Sequence, residues 1–249
     1  MKAAKPESGS PVAIKKLRRR GAQGHKEWLN ELRFLSRLNH PNIVKPIGYC
    51  YKDEKRILVY EYVSKGSSEA HLLSESKIAI GAARALDYLH HAHSKPVIHR
   101  DPKASNTLQD FNPKLSDFGL AKFGPGEGKS LLTSSFLGTR GYFAPEYYTL
   151  GHSTVTSDVY SFGVVLLEIF SGSAAVRMFS DGRADDLADW ARPYLSDRMK
   201  LHYIIDKKIA RSVQIEEANK FAKIICQCLS LDPRSRPTMS EVLSDLEKL

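Results

Sequence analysis

His99-Arg100-Asp101-Pro102-Lys103-Ala104-Ser105-Asn106 is the most informative stretch of this 249-residue chain. Eleven residues after Asn106 comes Asp117-Phe118-Gly119, and later Ala144-Pro145-Glu146. Upstream, Val12-Ala13-Ile14-Lys15 places a lysine on a short β-prone run, and Glu31 falls on the helical pattern that follows. Singly, each of these says little. An Asp with an Asn five residues on means nothing alone, Asp-Phe-Gly and Ala-Pro-Glu triplets arise in loops by accident, and a strand Lys or a helix Glu is usually solvated. Several independent motifs in a fixed order are what carry information.

Around these motifs the chain reads as a small mixed lobe followed by a larger helical one. Trp28, Leu32, Leu35 and Leu38 recur at helical spacing. Ile43 to Tyr51 and Arg56 to Tyr62 read as strands joined by the polar turn Lys52-Asp53-Glu54-Lys55. Further on, Ile78, Ala82, Leu86 and Leu89 share a helix face, and Val159 to Phe170 is apolar nearly all round, which predicts a buried central helix. Thr238 and Glu241 have capping-box spacing before Val242, Leu243 and Leu246. The expected boundary divides 1–63 from 64–249. With 42% hydrophobic and 26% charged residues, a disordered chain is excluded. Three cysteines exclude a disulfide scaffold and suggest a reducing compartment. The most apolar stretch, Phe162 to Phe170, carries Glu168 and is far short of the about 20 residues a membrane span needs.

The net charge of +9 is uneven: residues 1–37 hold ten basic and three acidic side chains. Lys15-Lys16-Leu17-Arg18-Arg19-Arg20 has the composition of a nucleic-acid patch, but a lysine on the strand and a solvated connection into the helix account for it, so no nucleic-acid partner is expected. His90, His91 and His93 lack a carboxylate or Cys at ligand spacing, so a metal site is not expected there. Cys226 and Cys228, two apart on a helix, face different directions and read as core cysteines.

In order, the three motifs match the catalytic loop, the metal-binding loop and the activation-segment end of the protein kinase signature. The chain resembles the kinase domain of plant receptor-like cytoplasmic kinases, close to the receptor-like and interleukin-receptor-associated branch. The residues that carry this are Gly24-His-Lys-Glu-Trp28, Leu38-Asn-His-Pro-Asn-Ile-Val44, Ile57-Leu-Val-Tyr-Glu61, Lys114 to Lys122 and Ser157 to Val165. The resemblance runs from about residue 11 to the end. It implies an α+β, two-lobed fold and phosphoryl transfer from ATP with Mg²⁺ to Ser/Thr of signalling proteins, in the cytoplasm or at the cytoplasmic face of the plasma membrane through partners such as receptor-like kinases. Phosphoryl transfer needs positioning and charge neutralisation more than covalent chemistry. By resemblance, Asp101 orients the attacking hydroxyl and Lys103 reaches the transferred phosphate. Asn106 and Asp117 offer oxygens to Mg²⁺. Lys15 contacts the phosphates and Glu31 holds it. Tyr60 is the gatekeeper, Glu61 and Val63 form the hinge, and Ala13 and Leu108 sandwich adenine. Phe118 and Gly119 complete the metal-binding loop, Asp158 anchors the catalytic loop, and Arg236 pairs with Glu146. Lys103 after Asp101 is the Ser/Thr pattern. Arg100 before Asp101 implies activation by a phosphate on Thr133 or Ser134, while Thr139 is expected beside Asp101 and Lys103.

Four departures stand against this pattern. Before Lys15 the only glycine is Gly9, so no glycine-rich phosphate loop is present, and 14 residues are too few for the two strands that normally precede the lysine strand. About ten residues, including a helix start, are wanting between Leu73 and Ser74. Pro102 replaces an apolar residue, and its fixed φ is expected to shift the catalytic loop. Pro46 replaces a Leu behind the helix carrying Glu31. Two readings therefore stay open here: an active kinase, and a catalytically impaired pseudokinase or binding scaffold.

Overall fold

The computed structural model describes residues 9–17, 22–52, 55–63, 72–108, 112–124, 137–151, 153–178, 182–211 and 213–249, the side chains of 22, 72–75, 108 and 150 apart. The small lobe is a three-stranded antiparallel sheet with one helix. Strand β1 (Val12–Lys16) pairs with β3 (Lys55–Glu61), which pairs in turn with β2 (Pro46–Lys52), giving the order β1-β3-β2. Helix α1 (Ala22–Leu35) follows β1 and buries Trp28, Phe34 and Leu35. Because side chains alternate along a strand, Ala13 and Lys15 share the face of their partners Tyr60 and Leu58, and that face looks toward the large lobe.

The second strand starts later than the sequence suggested. The backbone of Val44 donates to Leu115 O (3.0 Å), and Leu115 N–H donates to Asn42 O (2.7 Å), so Ile43 and Val44 bridge to the large lobe instead of joining the sheet. Pro46 opens the strand, where a missing N–H is tolerated, and a register shift separates it from Gly48.

The large lobe is built on helices α2 (Leu72–His91), α3 (Pro145–Leu150), α4 (Val155–Ser171), α5 (Leu187–Leu195), α6 (Lys207–Ala210), α7 (Ile215–Cys228) and α8 (Met239–Leu246). Short strands β4 (Val97–Ile98) and β7 (Lys122–Phe123) pair, as do β5 (Thr107–Leu108) and β6 (Lys114–Leu115), and β8 (Val176–Met178) and β9 (Ala184–Asp186). On α2 the predicted face is buried at Ala82, Leu86 and Leu89, while Ile78 at its start is only half-buried. The capping box at Thr238 and Glu241 forms as its spacing predicted.

The predicted central helix is α4, capped by a reciprocal Thr154–Ser157 box and buried along most of its length. Helix α7 approaches it closely at Gly163, where a Cβ would lie 2.7 Å from Cys228 Cβ and 3.1 Å from Leu229 Cδ2. Overpacking there outweighs the better helix propensity of alanine, so Gly163→Ala is expected to lower stability by roughly 1–2 kcal/mol, read from the midpoint of urea unfolding. The cysteine reading needs one correction. Cys228 is core, its thiol pushed up to about 12 by burial, but Cys226 is exposed because two residues along a helix turn about half-way round it.

Candidate active site

A cavity of about 220 Å³ lies between the sheet and the large lobe. Ala13, Lys15, Glu31, Tyr60, Glu61, Asn106 and Asp117 line it, so seven of the residues singled out in the sequence converge there. Val63 is not among its described walls, and Leu108 is described only by its backbone pairing with Lys114. Three wall residues, Ile14, Val44 and Ser116, were not foreseen as site residues.

Lys15 is the electrostatic hub. Its Nζ donates to Glu31 Oε2 at 2.8 Å and lies 2.8 Å from Asp117 Oδ1. Burial alone would lower its pKa, but the charges of Glu31 and Asp117 outweigh that and raise it, so the ammonium stays charged. Asp117 mirrors this. Desolvation would raise its pKa, and Lys15 more than offsets it, holding the carboxyl below the usual range. Glu31 is 2% exposed, and its other oxygen, Oε1, accepts the Tyr60 hydroxyl at 2.7 Å. Both carboxylate oxygens are thus engaged, which is what a buried carboxylate requires. Burial, then Glu31, raises the Tyr60 pKa strongly, so this hydroxyl remains a donor.

The hairpin of β5 and β6 sets the spacing of the two oxygen donors. Asn106 immediately precedes β5 and Asp117 follows β6 by two residues, so pairing of Thr107 with Leu115 brings both to one end of the hairpin. Ser116 N–H and Oγ both donate to Asn106 O, at 2.8 and 2.9 Å, and lock that end. Asp117 sits at φ 62°, a left-handed conformation disfavoured for non-glycine residues. Phe118 behind it is fully buried, edge-on to His99 at 4.9 Å.

The loop from His99 to Asn106 is hung from α4. Asp158, 1% exposed, accepts the backbone N–H of His99 at Oδ2 (2.7 Å) and that of Arg100 at Oδ1 (2.8 Å). His90 Nε2 lies 3.1 Å from Oδ2, a contact the sequence reading missed. Arg100 is held at φ 71°. Asp101 Oδ1 accepts the Thr139 hydroxyl at 2.6 Å, and Lys103 Nζ lies 2.7 Å from Oδ2 while donating to Thr139 Oγ1 at 2.8 Å. Asn106 Nδ2 donates to Asp101 O at 3.0 Å and Oδ2 at 3.2 Å. Pro102 is buried, and beside it Asn106 bonds Asp101 and Lys103 pairs with Asp101. Thr139 takes the expected place, and Glu146 pairs with Arg236 through two 2.7 Å bonds. Thr133 and Ser134 lie outside the described residues.

Whether a divalent cation fits can be judged from the donors. The Asn106 amide nitrogen is committed to Asp101, which leaves its Oδ1 as the acceptor. Lys15 engages Asp117 at Oδ1, which leaves Oδ2 as a second oxygen. Two oxygens at one end of a hairpin, beside an ammonium suited to phosphate, fit a hard cation held against a polyphosphate.

This chain belongs to the protein kinase family: the protein kinase domain family model matches residues 1–246. The fold and the ordered site agree with that membership, which implies ATP and a divalent metal in general. The chain is 50% identical over 259 residues to a probable serine/threonine-protein kinase, PBL3, of Arabidopsis thaliana, covering 99% of this chain and 61% of that protein. It is 47% identical to the serine/threonine-protein kinase BIK1 of the same plant, covering 98% of this chain and 65% of the relative. It is also 50% identical to an EPD1-interacting receptor-like cytoplasmic serine/threonine-protein kinase of Nicotiana benthamiana, covering 96% and 54%. The chain spans roughly half to two thirds of the length of the curated relatives it matches. Among the described residues no helix is long and apolar enough to cross a membrane.

Proposed function

We propose that this chain is a Ser/Thr protein kinase of the receptor-like cytoplasmic type, which moves the γ-phosphate of Mg-ATP to protein hydroxyls. The observation that carries the reading is the convergence of the Lys15–Glu31–Asp117 cluster with Asn106 and the closed Asp101–Lys103–Thr139 group. The boundary between the lobes is taken at 63/64.

In this reading Asn106 and Asp117 would hold Mg²⁺ through their side-chain oxygens. When bound, the cation neutralises charge on the phosphates. Lys15, kept charged by Glu31 and Asp117, orients the α- and β-phosphates. Ala13 would meet the adenine ring and the backbone at Glu61 and Val63 its edge, and Leu108 is proposed as a further adenine contact from the family pattern alone. Asp101 takes the hydroxyl proton or orients it, and Lys103 neutralises the transferred phosphate. Thr139 fills the acceptor's place beside Asp101 until a substrate hydroxyl enters. Lys103 after Asp101 supports Ser/Thr over Tyr.

A phosphate on Thr133 or Ser134 would activate the site through Arg100. Its Nε is buried with no hydrogen-bond partner. Lys122 is close enough that burial and then Arg100 lower its pKa. Two cations repelling each other in one place favour an arriving dianion. Protein substrates follow from family membership. Receptor-like kinases as partners, and work in the cytoplasm or at the cytoplasmic face of the plasma membrane through them, are proposed from the resemblance to receptor-like cytoplasmic kinases, a class that one relative's name also carries.

The test is incubation with γ-labelled ATP, Mg²⁺ and dephosphorylated casein, followed by phosphoamino-acid analysis. Label on Ser and Thr is expected. No label, or label on Tyr, overturns the reading.

A further inference from the structure

Next to Glu31 on α1 stands Asn30, which the proposed mechanism does not use. Its Nδ2 donates to three main-chain carbonyls of the metal-binding loop: Ala121 O at 2.7 Å, Gly119 O at 2.9 Å and Phe118 O at 3.2 Å. Three carbonyl acceptors fix the amide orientation, since the opposite flip would set Oδ1 against them. Helix α1 meets the same segment a turn before and a turn after. A Cβ on Gly119 would lie 3.2 Å from Glu27 Cβ, and the Phe34 and Phe123 rings are 5.0 Å apart. Residues 27, 30 and 34 therefore form one stripe of α1 laid along the segment from 119 to 123. The Phe34–Phe123 contact is apolar and tolerates sliding. The amide is directional and does not.

Directly before the residues it grips stands Asp117 at positive φ, and such a conformation persists only where its surroundings determine it. Asn30 also lies one residue from Glu31, so the bonds that fix the loop fix the helix position that delivers Glu31 to Lys15. We propose that Asn30 is a positioning residue: its amide latches α1 to the metal-binding loop and keeps Lys15, Glu31 and Asp117 assembled. This deepens the kinase reading and rests on it for the catalytic consequence, though the latch itself is measurable without nucleotide.

The experiment compares backbone hydrogen–deuterium exchange of the full chain with that of Asn30→Leu, Asn30→Asp and Asn30→Gln. Leu keeps the size of Asn without a donor, Asp keeps the shape but only accepts, and Gln keeps the donor. Exchange across 117–124 is expected to quicken about tenfold in the Leu and Asp variants, with α4 and α7 as protected as in the parent, and to recover substantially in the Gln variant. In phosphate transfer, the same two variants are expected to lose about tenfold in kcat with KM for the protein acceptor within about twofold. Parent-like protection of 117–124 in the Leu and Asp variants overturns the latch. So does loss of protection spread equally into α4 and α7, which would mark a general loss of stability. If the parent transfers no phosphate yet the exchange pattern is as expected, the kinase reading falls and the latch stands.

Discussion

Replacing Asp101 with Asn is expected to slow phosphate transfer by about 10³-fold at saturating Mg-ATP, within the range that a positioned acid–base group supplies. The reason lies in what the carboxylate touches. Oδ1 takes the Thr139 hydroxyl at 2.6 Å, and Oδ2 neutralises Lys103 at 2.7 Å. An Asn side chain keeps an acceptor for Thr139 but neither attracts a proton nor pairs with the ammonium. The loop itself should survive, because Asn106 also bonds the Asp101 main-chain carbonyl and Asp158 suspends His99 and Arg100 from α4. Initial-rate measurements check this. A variant retaining more than about a tenth of the parent rate would remove Asp101 from the chemistry.

The second large effect concerns stability. Arg236→Ala is expected to cost about 3–5 kcal/mol, the usual result of removing one partner from a buried ion pair. The Arg236 side chain is fully buried. It donates to both Glu146 oxygens at 2.7 Å, to Thr156 O at 2.9 Å and to Ser230 O at 2.8 Å. One side chain thus ties the start of α3 to the start of α4 and to the loop before α8. Burial pushes the Glu146 pKa up, but Arg236, with help from Ser157, overcomes this and lowers it from 4.5. A lowered folded-state pKa means the unfolded chain binds the proton more readily. The contribution is therefore present above about pH 4.5 and is lost as pH falls through the folded value. In Arg236→Ala the stranded carboxylate is relieved by protonation, so the gap between parent and variant should narrow in acid. Urea unfolding at pH 7 and pH 4 checks both statements, and Glu146→Gln added to Arg236→Ala should recover part of the loss.

The side chains of the candidate site were largely legible, and the frame that positions them was less so. Lys15, Asp101, Asn106 and Asp117 belong to short contiguous motifs, and Glu31 lies on the helix directly after the lysine strand. Val44 was hidden because apolar residues from Ile43 to Tyr51 look like one strand. Nothing local marks that Val44 gives its N–H to Leu115, some 70 residues away. His90 sat in a histidine cluster with no ligand at metal spacing, and only folding brings it to Asp158. Asn30 had no signature at all. An Asn within a helix reads as surface, and its three acceptors are supplied by a loop about 90 residues further along. At Pro102 the sequence offered only a fixed φ, whereas the two hydrogen bonds by which Asn106 holds Asp101 across it emerge only on folding.

The proposed phosphate transfer depends on the cavity between the lobes taking Mg-ATP, and a thermal-unfolding titration measures that most directly. At a Mg-ATP concentration 100-fold above its Kd, the parent chain should gain about 2.7 kcal/mol of stability, whereas Asp117→Asn at the same concentration should gain little. A parent chain whose melting temperature stays unchanged up to millimolar Mg-ATP would contradict the account.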